Sequence, residues 1–451
     1  MMPFIRSISG LRATLGDGLK PCLLAQYAYA FAETIPIKKV VIGRDGRPSG
    51  KWIESVITGA LVAAGCQVRQ IGMAPTPTVQ LEVEHSNAGG GIAITASHNP
   101  GIWNGLKFIN SQGIFLDAEE NYKLWKIVDQ QTEITSNESL EFYDILHDKN
   151  AQKRHIKIIA DLDFIKKNIR IIRNRKLKVV VDAVNASGSY IVPELLREFG
   201  CEVIDLNCDG SGIFPHTPEP LPENLLDLAN TVRAVKADLG LAVDPDADRL
   251  VLIDENGNPI GEEKTIALCV ESLLRTSDKR GNIVINLSTS SMTEIISSKY
   301  GCKTLRSPVG EINVVKLMKE SIAIIGGEGS GGVILPECHY GRDSMVGIAL
   351  VLNLLAESKK TLSELSSELP NLIMVKKKKD FTGSLDELFN KLQSKYSGFE
   401  ITMNDGIRID FDNKWVQLRA SNTEPIVRVI AEAENQSDAQ VLADEIMDLV
   451  N

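Results

Sequence analysis

The chain has 451 residues, 43% hydrophobic and 24% charged, with a mean hydropathy of −0.04, which makes it too long for a single core and too apolar for disorder. Lysine and arginine number 49 against 59 acids, and the net charge of −10 disfavours nucleic acid and anionic lipid as partners. The longest mostly apolar run, Met345 to Ala356, falls short of the roughly 20 residues that span a bilayer, so no membrane helix is expected.

The first residues, Met1 to Arg6, lack an apolar stretch ending in a small-residue cleavage site, so a cytoplasmic protein without a secretory signal is expected. The seven cysteines are scattered, and no two have Cys-x-x-Cys spacing. This points to reduced thiols and argues against a zinc knuckle.

In chain order, three Val/Ile-rich runs each precede a polar loop and a helical apolar period: Lys39–Ile42, Lys178–Val181 and Asn282–Ile285. This alternation is the pattern of parallel α/β units, and its recurrence at domain-length intervals predicts three related domains. Each also holds a second strand that ends in an unusually polar loop. Gly91–Ile94 leads into Thr95–Pro100, Leu239–Val243 into Asp244–Arg249, and Ile322–Ile325 into Gly326–Gly332. Ligands in open parallel sheets sit outside the carboxyl ends of strands, so the three loops are expected to share one cleft.

Beyond residue 370 the texture becomes α+β. A lysine run at 376–379, read as a solvated turn, precedes short strands at Ile407–Phe411 and Trp415–Leu418. A closing helix is predicted with Ser437-Asp438-Ala439-Gln440 as its capping box. The fold class is therefore three mixed-sheet α/β domains (1–150, 151–255 and 256–370) and a C-terminal α+β domain (371–451) around a central cleft.

The loops themselves carry the chemistry. Asp244, Asp246 and Asp248 alternate just after an apolar strand, where their repulsion calls for a hard cation. A calcium hand fails, because Arg249 stands at the sixth position where glycine is needed and Leu250–Ile253 reads as a strand; open coordination shared with a phosphate suits Mg²⁺. Ser97 closes a strand and is a candidate nucleophile. A Ser–His hydrolase is disfavoured, since the surroundings are not Gly-x-Ser-x-Gly and adjacent side chains in extended backbone point apart.

The loop Gly327–Gly332 matches neither the dinucleotide nor the P-loop spacing, but Glu328 and Ser330 in it suit vicinal sugar hydroxyls. Arg419, Ser421, Asn422, Thr423 and Arg428 combine guanidiniums, hydroxyls and a tight turn, the makings of a phosphate nest.

With these four loops in this order, the sequence resembles the α-D-phosphohexomutase superfamily over essentially its whole length. The motifs are Thr95-Ala-Ser-His-Asn-Pro100, Asp244-x-Asp-x-Asp-Arg249, Gly327-Glu-x-Ser-Gly331 and Arg419-x-Ser-Asn-Thr423. The resemblance implies a phosphoserine at Ser97 and Mg²⁺ held by Ser97 through its phosphate and by Asp244, Asp246 and Asp248. It also implies a hexose 1,6-bisphosphate activator and a phosphoryl shift between C6 and C1 of a small sugar phosphate.

By the same resemblance Arg12 and His98 stand near the phosphoserine, Lys107 is the general base with a lowered pKa, and Arg249, Glu311 and the last two loops contact substrate. A monomer or homodimer is expected. Glucosamine phosphate is the favoured sugar, because Glu311 offers an acid near a 2-amino group; glucose or mannose phosphate is the alternative. Gly332 departs from the family pattern, where many members carry histidine.

Overall fold

In the computed structural model of the chain, residues 4–130, 145–420 and 426–450 are described. Ser421, Asn422 and Thr423 lie outside them. The first sheet contains β1 (Ile5–Ser7), β2 (Gly10–Thr14), β3 (Lys39–Arg44), β4 (Gln67–Met73), β5 (Gly90–Ile94), β6 (Trp103–Asn110) and β7 (Ile145–His147), in the order β1-β2-β6-β5-β3-β4-β7. The second contains β8 (Lys178–Asp182), β9 (Glu202–Leu206), β10 (Leu239–Val243) and β11 (Leu250–Ile253), ordered β11-β10-β8-β9. The third contains β12 (Ile283–Asn286), β13 (Thr304–Ser307), β14 (Ile325–Glu328) and β15 (Gly332–Ile334), ordered β13-β12-β14-β15.

One arrangement recurs in all three. A first strand pairs in parallel with two others, and the last of these turns back on itself into an antiparallel neighbour: β5 into β6, β10 into β11, β14 into β15. The three polar loops occupy this same turn-back position in each unit. The central strands β5, β10 and β12 are buried along their whole length, in keeping with their largely apolar or small side chains.

The fourth sheet is antiparallel throughout: β16 (Ile373–Asp380), β17 (Glu400–Thr402), β18 (Ile407–Asp410), β19 (Trp415–Ala420) and β20 (Ile426–Ala433), ordered β16-β20-β19-β18-β17. It has its own apolar core, with Leu388, Leu392, Leu442 and Ile446 from two helices. The second and third units instead share one core. Its centre is the helix Ser344–Ser358, buried from Ser344 through Ala356, so the apolar run seen in the sequence has no solvent face to show. No helix among the described residues is long and apolar enough to cross a membrane.

Three local expectations are corrected. Ile322 does not open a strand: it ends the preceding helix in left-handed conformation, and β14 begins at Ile325. The lysine run is strand β16 rather than a turn, held by Lys376 against Glu262 and Glu263 and by Lys377 against Asp444. The closing helix, Gln436–Leu449, is capped by Asn435, whose side chain accepts the Asp438 N–H at 2.9 Å. Ser437 lies inside the first turn. Asn435→Ala is expected to cost the helix about 1 kcal/mol and Ser437→Ala less than about 0.5 kcal/mol, read as hydrogen-exchange protection of its amides.

Candidate active site

Ser97 follows β5 with a left-handed backbone (φ 50°), a conformation that lifts its side chain out of the strand direction. Its N–H donates to Thr95 Oγ1 at 2.9 Å, and its hydroxyl donates to Asp244 Oδ2 at 3.1 Å. The first two predicted loops therefore meet at a hydrogen bond. His98 Nδ1 lies 3.3 Å from Ser97 Oγ. Burial, with Arg249 and Arg12 nearby, pushes the His98 imidazole down to about 2, so it is neutral and its 3.9 Å approach to Glu219 is not an ion pair.

The three aspartates are buried together. Asp244 Oδ1 accepts the N–H groups of Asp248 and Arg249 at 3.1 and 3.2 Å. Lys107 Nζ reaches Asp246 at 2.6 Å and Asp248 at 3.2 Å, and Thr76 Oγ1 donates to Asp246 at 2.8 Å. Burial and the two neighbouring carboxylates hold the Asp244 carboxyl well above its usual range. Burial works the same way on Asp248, but Arg342, Lys107 and Arg249 outweigh it and hold that carboxyl down.

The expected lowering of Lys107 is reversed: burial opposes its charge, yet Asp246 and Asp248 raise it. The donor set fits a divalent cation. One oxygen from each aspartate lies within 4.8 Å of the others, all are hard carboxylates, and the Oδ1 atoms of Asp246 and Asp248 are buried without a partner among the described residues.

The third loop joins through Arg342, which the sequence reading missed. Its guanidinium donates to Asp248 Oδ2 at 2.7 Å, Glu311 Oε2 at 3.0 Å and Glu328 Oε2 at 2.7 Å. Glu328 also accepts from Asn286 at 2.8 Å and from the Gly310 N–H at 3.1 Å, and Glu311 from Gln80 at 3.1 Å. The glycine at 332 follows from this packing, since a Cβ there would lie 2.3 Å from Arg342 Cδ. Ser330 is half-buried in the same loop.

The fourth unit enters through Asp405, whose carboxylate accepts the Val309 N–H at 2.9 Å and lies 3.5 Å from Arg419. Arg419, Arg428 and Lys378 stand directly opposite one another on β19, β20 and β16. A row of like charges across neighbouring strands is unfavourable unless an anion joins it. Arg12 donates to Asn99 at 3.2 Å, so it too lies at the serine loop, while Arg249 Nε stops 4.0 Å from Asp248.

Profiles of phosphoglucomutase/phosphomannomutase alpha/beta/alpha domains I, II and III match residues 5–135, 154–257 and 262–373, and that of the C-terminal domain matches residues 369–449. The chain belongs to the phosphoglucomutase/phosphomannomutase family. With it the chain falls in the α-D-phosphohexomutase superfamily, whose members are isomerases.

A Thermococcus kodakarensis phosphoglucomutase/phosphomannomutase is 37% identical over 448 residues, 96% of this chain and 95% of that protein. A Methanococcus vannielii phosphoglucosamine mutase is 33% identical over 439 residues, 95% of each. The crystal structure of a phosphoglucomutase/phosphomannomutase family protein from Burkholderia thailandensis superposes with a TM-score of 0.84 at 27% identity, covering 99% of this chain and 97% of that one.

A second residue missed from sequence holds the serine loop of this family member in place. Arg47, fully buried, uses all five of its side-chain N–H groups: Nε on Asp45 (2.9 Å), Nη1 on the carbonyls of Pro100 (2.7 Å) and Trp103 (2.9 Å), Nη2 on those of Ser97 (2.6 Å) and Asn99 (2.7 Å). Arg47 directly follows Gly43-Arg44-Asp45-Gly46, the polar loop after the first predicted strand, and nothing in that spacing marked it. Arg47→Met is expected to cost about 3–5 kcal/mol, because it leaves Asp45 buried and uncompensated. Asp45→Asn/Arg47→Met should recover part of that loss, and denaturant melts of the two variants measure it.

Proposed function

We propose that Ser97 carries a phosphoryl group which it gives to a hexose monophosphate, and that the resulting hexose 1,6-bisphosphate turns over and returns its other phosphoryl group to Ser97. The observation that carries this reading is the Ser97 hydroxyl on Asp244 at 3.1 Å, with Asp246, Asp248 and Lys107 behind it. Asp244, Asp246, Asp248 and a phosphoserine oxygen are the proposed holders of Mg²⁺, which when bound neutralises charge on the transferred phosphoryl group.

Lys107 is the proposed acceptor of the sugar hydroxyl proton. Arg12 and Arg342 both act to lower it, and it is raised only by the carboxylates that a cation would engage. Neutral His98 supports the serine oxygen without adding charge. Arg419, Arg428 and Lys378 are the proposed seat of the sugar's non-transferred phosphate, and Arg12 and Arg249 line the reacting end. A dephosphorylated chain would need a hexose 1,6-bisphosphate to be recharged.

The favoured sugar is glucosamine phosphate. Glu311 and Glu328 share the single guanidinium of Arg342, leaving a surplus of negative charge that a 2-ammonium group offsets and a hydroxyl does not. The rival reading, glucose or mannose phosphate, draws support from the same contacts, because both Glu311 oxygens already have partners.

Two measurements test the proposal. Peptide mass spectrometry should find phosphate on Ser97, and Ser97→Ala should lose both phosphate and turnover. Alanine at Asp244, Asp246 or Asp248, or exhaustive chelation, should lower kcat by at least about 10²-fold, and full activity after chelation would remove the metal from the scheme.

Glu311→Gln should lower kcat/KM for glucosamine phosphate at least about tenfold more than for glucose phosphate, the scale of one hydrogen bond to a charged group. Equal losses, or a higher kcat/KM for glucose or mannose phosphate in the parent chain, would assign the enzyme to those sugars instead.

A further inference from the structure

A second cluster of metal-ligating side chains lies apart from the acidic loop. His155 sits in the helix Ala151–Asp161, Cys338 and His339 in the turn after β15, and Asp343 at the N-cap of the helix Ser344–Ser358. All four are buried, and one ligand atom from each lies within 4.8 Å of the others. We propose that His155, Cys338, His339 and Asp343 form a structural zinc site.

The donor chemistry separates it from the Asp244 loop. Three carboxylates suit a hard cation, whereas one thiolate, two imidazoles and one carboxylate make a four-ligand set of the borderline-soft kind that Zn²⁺ takes. Tetrahedral ligands at zinc bond lengths stand about 3.5 Å apart. That falls between the 2.8 Å contact of His155 Nε2 with Asp343 Oδ2 and the 4.8 Å outer limit of the group, so small side-chain shifts suffice.

The surroundings are those of a built site. Asp343 divides its carboxylate: Oδ1 caps the helix by accepting the Met345 N–H at 2.8 Å, while Oδ2 faces both histidines, at 2.8 Å from His155 and 3.2 Å from His339. Thr78 Oγ1 stands 2.9 Å from His155 Nδ1, the outer hydrogen bond that fixes a ligating imidazole. His339 turns Nε2 toward the same Asp343 oxygen, and its Nδ1 is buried with no hydrogen-bond partner among the described residues.

The proton balance is simple. Without metal the imidazoles are hydrogen-bonded to Asp343 and the Cys338 thiol, raised by burial, keeps its proton. Zinc entry takes that proton from sulfur, and each bound imidazole carries its ring proton on the non-ligating nitrogen, for which Thr78 Oγ1 is the acceptor on His155.

Scattered cysteines excluded a Cys-x-x-Cys knuckle, but they do not exclude a site drawn from a helix, a turn and a helix cap. Its consequence is local stiffness. Arg342, which bridges Asp248, Glu311 and Glu328, lies between His339 and Asp343, so a zinc ion would clamp both sides of that bridge.

The test uses the full chain stripped with a chelator and refilled with Co²⁺ under excess Mg²⁺, followed by absorption spectroscopy and metal analysis. The expected result is one cobalt per chain, tetrahedral cobalt bands with a thiolate-to-cobalt charge-transfer band, and release of protons on binding. Cys338→Ser should abolish the charge-transfer band and His155→Asn should lower the stoichiometry, while Asp246→Asn keeps both. A parent chain that binds no cobalt under excess Mg²⁺, or binds it without the thiolate band, overturns the proposal whether or not the variants fold.

Discussion

Three carboxylates buried within one turn set the terms for everything around them. Like charges about 4 Å apart repel by about 4 kcal/mol at the effective dielectric of a protein interior near its surface, and desolvation adds to that. The turn of Asp244, Asp246 and Asp248 is therefore stable only because other units bring cations to it. Lys107 comes from the first sheet and Arg342 from the segment before the long buried helix. The residues that neutralise the loop are thus also those that bring the three sheets into register around it, and folding and site assembly are one electrostatic problem.

The repeated sheet supplies the geometry. Each unit turns its last parallel strand back on itself, and each turn was legible as a polar interruption between apolar runs. Ser97, the three aspartates and Glu328 stood out because a buried strand cannot end in such residues without a partner. Strand identity was equally plain for β5, β10 and β12, whose apolar runs are unbroken.

What stayed hidden was the ownership of the counter-charges. Nothing local marks Arg342 as the partner of three acids, because the partners are 14, 31 and 94 positions away. Arg47 lies one position past a polar loop that was read, and its bonds to the carbonyls of the serine loop are set by tertiary packing. The lysine run misled for a related reason: Lys376 and Lys377 face acids on other elements, so a charge run that reads as a solvated turn is a strand sutured by ion pairs. Glu311 was singled out from sequence as an acid of the substrate site; the sequence did not reveal that Arg342 and Gln80 hold it.

The seam between the third and fourth units is crossed by several polar contacts. Ser288 donates to Gln417 at 2.7 Å, the Ser291 N–H to Glu432 at 2.9 Å, Arg408 to the Leu287 carbonyl at 2.5 Å, and Lys376 pairs with Glu262 at 2.7 Å. Most apolar side chains of the fourth unit lie inside its own core, but buried Trp415 does not: its indole N–H donates to Glu432, and Arg306 of the third unit lies over its ring. Water can replace the hydrogen bonds of such a seam nearly one for one, so they hold the two units together only modestly. The grip of the last unit on its neighbour thus rests on hydrogen bonds and ion pairs, and salt that screens Lys376 from Glu262 and Glu263 weakens it.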